Sequence, residues 1–198
     1  HLRPRRQRQM CIRDRLKTIR QWNHLLVVPV YLIIGLFDGA IFLMVLLTII
    51  DGLQFFQLNY FIIFLGAVAG LAKILYWWSI DSTQSQSNTS TATGLGSSKK
   101  SVSMLDAPTT SETFIMREMG FAIARKHSRR LRLITILTLS IIPIIIIFLM
   151  TQPIALVSPM VLGIIAILFS YFGTIIERWL FFAEAKHVAM LYYGASKV

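Results

Sequence analysis

The chain has 198 residues, 55% of them hydrophobic and 15% charged, with a mean hydropathy of +0.64 and a formal charge of +11. A soluble domain of this size does not carry so apolar a composition, and runs of twenty or more apolar residues mark membrane-crossing helices. The one cysteine, Cys11, excludes an internal disulfide, and without a Cys cluster the sequence offers no iron–sulfur or structural zinc ligand set of its own.

Residues 1–15, "HLRPRRQRQMCIRDR", hold six Arg and one Asp, hence +5, leaving +6 for Leu16 to Val198. They lack the apolar core of a secretory signal. The stretch reads either as non-native, like translated adapter sequence, or as a basic cytoplasmic arm, and it is set aside from the fold.

A first hairpin occupies residues 16–80. Its apolar runs are "LLVVPVYLIIGLFDGAIFLMVLLTII", about Leu25 to Ile50, and "FFQLNYFIIFLGAVAGLAKILYWWSI", about Phe55 to Ile80. A second hairpin, residues 131–198, has spans at Leu131–Met150 and about Ile154–Phe182, followed by a tail. At about 1.5 Å per residue each run reaches the ~30 Å needed to cross hydrocarbon. No run alternates as the strands of a membrane barrel do.

The connections "DGLQ" and "TQPIALVSP" contain neither Lys nor Arg. Lys17 and Arg20 precede the first span, Lys186 and Lys197 follow the fourth, and the remaining cluster lies between the second and third. The positive-inside rule then predicts an up-down-up-down path with both ends in the cytoplasm. The expected architecture is an all-α, polytopic membrane four-helix bundle. Its expected partner is the lipid bilayer, not nucleic acid.

The loop at 81–130 divides in two. Ser82 to Ser101 is a Ser/Thr/Gln/Gly tract too polar to order alone, and so is expected to be disordered. "TFIMREMGFAIARKHSRRLR" reads as a basic amphipathic helix at the membrane surface, running into the third span. Arg117, Arg125, Lys126, His127, Arg129 and Arg130, with Lys186, are either a charge run that enforces topology or a docking face for a peripheral subunit or anionic lipid.

Five stretches together resemble the membrane anchor subunit of dimethyl sulfoxide reductases: "QWNHLLVVPVYLIIGL", "AKILYWWSID", "TATGLG", "LDAPTTSETFIMREMGFAIARKHSRRLR" and "ERWLFFAEAKHVAMLYYG". The resemblance spans nearly everything after Leu16. Members of that family have roughly eight membrane helices, so it implies that this chain is the C-terminal half of one. It further implies that the subunit anchors an iron–sulfur electron-transfer subunit and a molybdopterin catalytic subunit. It would oxidise menaquinol to feed them, carrying no haem or metal itself. Asp38 in "FDGA" departs from the family, where small residues are usual, and so does Trp78, where a basic residue is more typical. The family's best-associated quinol residues lie in the N-terminal half.

"ERWLFFAEAKH" places five ionisable residues within eleven positions. On a continuous helix Glu177, Glu184 and His187 fall within about 80° of one another, with Lys186 opposite Glu177. Quinol oxidation releases two protons with its two electrons, so Glu177, Glu184 and His187 suit proton acceptance and Arg178 suits pairing with a carboxylate or a quinol oxygen. The competing reading is a helix end at the interface with snorkelling bases and the aromatic anchors Trp179, Phe181, Tyr192 and Tyr193. Asp38, near mid-membrane, is expected to be protonated or paired, either as a proton relay or as a tolerated neutral acid. Lys73 is expected to snorkel to the cytoplasmic surface.

His24, His127 and His187 sit at or beyond helix ends, so a bis-His haem is not expected. The single ExxH at 184–187 is half of what a di-iron bundle requires. Pro29, Pro143 and Pro159 are expected at helix entries and a kink, and Gly66 to Gly70 at a close helix contact. Two rival functions remain: a passive tether for the complex without quinol chemistry, and a small transporter, which the absence of paired broken helices argues against.

Overall fold

The computed structural model describes residues 19, 21–51, 56–82, 127–152 and 158–185. Among these, all regular structure is helical: α1 (Val27–Asp51), α2 (Phe56–Ser82), α3 (Ser128–Ile136), a π-helical segment (Leu137–Ile141), α4 (Ile142–Met150) and α5 (Pro159–Ala183). Helix α3, the π segment and α4 are continuous. Four spans result, Val27–Ile50, Gln57–Ser82, Ser128–Met150 and Pro159–Ala183, each long and apolar enough to cross a bilayer. The chain is a multi-pass membrane protein. The third span opens at Ser128, three residues ahead of the expected Leu131, and the fourth at Pro159 instead of Ile154. Pro159 suits a first helical position because the N–H it lacks would have no partner there. Arg117, Arg125, Lys126, Lys186 and His187 lie outside the described residues, as do the polar tract after Ser82 and most of the proposed surface helix.

Most of the four spans, Leu25–Ser79 and His127–Leu180, forms one unit. Its surface inverts the soluble pattern: Leu32, Leu36, Phe42, Phe64, Leu168 and Ile175 are exposed, while Asp38, Lys73, Ser170 and Glu177 are buried. Apolar side chains turned outward suit lipid, and polar groups turned inward avoid it. Phe37, Ile41, Met44 and Val45 of α1 meet Ile62 of α2, Ile147 and Met150 of α4 and Ala166 of α5 in one apolar cluster.

Small residues set the closest approaches, as transmembrane packing without a strong hydrophobic drive requires. A Cβ on Gly66 would lie 2.6 Å from Phe37 Cε2 and 3.0 Å from Ile144 Cγ1. On Gly173 it would lie 2.6 Å from the Leu139 Cα, against the backbone of the π segment. That segment precedes Pro143, whose ring cannot donate to the carbonyl four residues back. The Ile142 N–H instead donates to the Leu137 carbonyl, five residues back. Ser140 leaves its own helix and donates to the Gly66 carbonyl at 2.8 Å.

The described residues of the second unit include Trp22, Phe181 and Phe182. Trp22 stacks on Phe181 at 6.3 Å between ring centroids and meets Phe182 edge-on at 5.7 Å, and its Nε1 donates to the Phe181 carbonyl at 3.3 Å.

Candidate functional site: buried charge between the spans

Lys73 of α2 and Glu177 of α5 meet inside the bundle, with Lys73 Nζ donating to Glu177 Oε1. Both are essentially fully buried. The expectation that Lys73 snorkels to the surface is therefore corrected. Its position about nine residues from the end of α2 lies within reach of the rim for an extended stem, but the side chain turns inward to a carboxylate. Its ammonium also lies 4.4 Å from the Tyr76 ring centroid and 5.0 Å from that of Trp77, so rings and a carboxylate replace lost water. Arg132 of α3 covers Trp77 at 5.3 Å, which brings Lys73 to the same end of the bundle as Arg129 and Arg130.

Arg178 follows Glu177 and brings its Nε to 3.3 Å from Glu177 Oε2. Its guanidinium lies 3.2 Å from the ring centroid of Tyr31 on α1. The pair is incompletely satisfied: Glu177 Oε2 is in ion-pair contact yet accepts no hydrogen bond, and Arg178 Nη1, also buried, donates none. One buried acceptor and one buried donor, on neighbouring residues, thus keep bonding capacity unused, against the general rule that such groups are paired.

Asp38, two turns below Tyr31 on α1, takes Ser170 Oγ at Oδ1 and Thr174 Oγ1 at Oδ2, the latter at 2.8 Å. Ser170, Thr174 and Glu177 follow one another at four and three positions on α5, a spacing that lines one helix face. Asp38 is therefore paired, through hydroxyls, which sequence alone left open.

The structure brings Glu177, Arg178 and Asp38 into one unit together with Lys73, Thr174 and Tyr31, three residues that sequence reasoning did not assign to a site. The signal for them was weak: Thr174 stands one turn before Glu177, but Lys73 is 104 positions away. Helix α5 ends at Ala183, so Glu184 stands in a turn and does not extend the helical face of Glu177. His127, Arg129 and Arg130 are exposed where the third span begins. No group of three or more metal-ligating side chains occurs among the described residues. The chain matches no protein-family model, no curated protein and no solved structure.

Proposed function

We propose that the chain is a membrane anchor subunit of a dimethyl-sulfoxide-reductase-like molybdoenzyme complex, which oxidises menaquinol and passes electrons to an iron–sulfur subunit during anaerobic respiration. The observation that carries this reading is the buried pair of unused polar atoms, Glu177 Oε2 and Arg178 Nη1. A quinol hydroxyl donates a hydrogen bond and then loses its proton, which calls for a carboxylate acceptor. The quinone oxygen that remains calls for a donor. A carboxylate and a guanidinium in contact supply both, with the guanidinium held over the Tyr31 ring. The apolar, lipid-facing exterior supports it too, because a quinol with a long isoprenoid tail arrives from the bilayer. Electrons leave to partner subunits, and exposed Arg129 and Arg130 with His127 are the described part of the face on which those subunits dock. The basic residues around the spans support a cytoplasmic position for that face by the positive-inside rule, and the family resemblance implies a bacterial or archaeal cytoplasmic membrane.

The test is menaquinol-analogue oxidation by membranes in which the chain is assembled with its partner subunits. Glu177→Gln keeps the size and a hydrogen bond to Lys73 but cannot take a proton. It should lower the oxidation rate per assembled complex by about a hundredfold, the scale of a lost general base. Unchanged oxidation would favour the passive tether, with quinol chemistry carried elsewhere in the complex.

A further inference from the structure

We propose that Asp38, Thr174 and Glu177 form a proton track that opens at the end of the bundle carrying Arg129 and Arg130 and ends blind at Asp38. It goes beyond the quinol reading and does not depend on it. Three observations meet here. Asp38 stands midway along α1 with both carboxylate oxygens held by hydroxyls, Ser170 on one and Thr174 on the other. Glu177 stands less than one turn on from Thr174 on the same face of α5, about 5–6 Å between Cβ atoms, a gap that a hydroxyl and one bridging water close. Beyond Glu177, Arg178 is 28% exposed and gives the track its outer end.

In the other direction the path is closed. Past Asp38 the four spans press Ile41, Met44, Ile62, Ile147, Met150 and Ala166 together. Asn59 is the one polar side chain buried in that half among the described residues, and it stands alone near the start of α2. A polar row from one rim to mid-membrane, capped by packed apolar groups, exchanges ions with one side only. Among the described residues, the charged and titratable groups beside it are Tyr31 from α1, Lys73 and Tyr76 from α2 and Arg178 from α5, with Arg132 from α3 over Trp77 at the same end.

A proton taken from water at the rim adds to Glu177 and weakens its ion pair with Lys73. Glu177 returns it through a bridging water to Thr174 Oγ1, whose own hydroxyl proton moves to Asp38 Oδ2. One O–H bond forms at Asp38, Glu177 and Thr174 regain their starting states, and no electron moves. The reverse sequence releases the proton to the same side.

Infrared difference spectroscopy of the full chain in lipid nanodiscs tests this. Stepping the pH should reveal a protonated-carboxyl band that Asp38→Asn removes. On transfer to heavy water that band should shift about tenfold or more slowly in Thr174→Val, and at the wild-type rate in Thr174→Ser, which restores the hydroxyl. A purely packing role for Thr174 would leave the exchange rate unmoved. The track is overturned if no such band appears, if it survives in Asp38→Asn, or if Thr174→Val exchanges like the wild type. Should Thr174→Val not assemble, Glu177→Gln takes its place, with slowed exchange expected and a wild-type rate again decisive against the track. No quinol is present in this experiment, so its outcome is separate from that of the oxidation assay.

Discussion

Lys73 and Glu177 each bring a full charge into a medium where solvation by water is lost, and each is the other's closest counter-charge. Desolvating two such ions costs several kcal/mol apiece, which close contact and surrounding polar groups offset without surplus. Removing one partner should therefore be far worse than removing both. Lys73→Met alone should destabilise the bundle by about 3–5 kcal/mol, because Glu177 then stays fully buried with only the partly exposed Arg178 beside it. Lys73→Met combined with Glu177→Leu should lie within about 1 kcal/mol of wild type or above it. Denaturation by sodium dodecyl sulfate in mixed micelles, followed by circular dichroism, measures both. Additive losses would show that the two side chains do not meet. Sequence reading left Glu177 between a proton-accepting site and an interfacial helix end, and assigned Lys73 to the rim. A lysine near a helix end fits either place, and nothing local marks the turn of α2 that aims it at a residue 104 positions later.

At the scale of elements, the third span is the irregular one. Thr135 and Thr138 return their hydroxyls to the Leu131 and Ile134 carbonyls, each four residues back, and the π segment follows directly. Pro143 announced an interruption in this span, but not its kind. Whether a proline kinks a helix or widens it into a π turn depends on what packs alongside. Here Gly173 of α5 fits against the Leu139 backbone, and Ser140 spans to Gly66. Gly173→Ala should therefore cost about 1–3 kcal/mol, since backbone cannot yield as a flexible side chain does. Gly39→Ala, where an added Cβ meets nothing within 4 Å, should be neutral or stabilise by about 0.5–1 kcal/mol through helix propensity. The same micelle denaturation compares them, and equal costs at the two glycines would remove the close contact from the account. The Gly66–Gly70 stretch was legible as a packing face because small-xxx-small spacing has few other uses in an apolar helix. Gly173, isolated within α5, carried no such pattern.

For the whole molecule, the four spans were readable from apolar length alone, because a bilayer demands about twenty such residues and gives few other solutions. Their rotation about their own axes was not readable. The spans are apolar on nearly all sides, so the periodicity that aims a soluble helix is faint, and a few polar residues, Asp38, Lys73, Ser170 and Glu177, set the inward face. That inward gathering has meaning only if the surroundings are lipid, which makes membrane crossing the central claim. It is tested most directly on the third span, in a Cys11→Ser background carrying either His127→Cys or Gln152→Cys. Sealed vesicles of each orientation are treated with a membrane-impermeant maleimide. The account predicts that the cysteine at 127 is labelled from one side of the membrane only and the cysteine at 152 from the opposite side only. Labelling of both from the same side would contradict it.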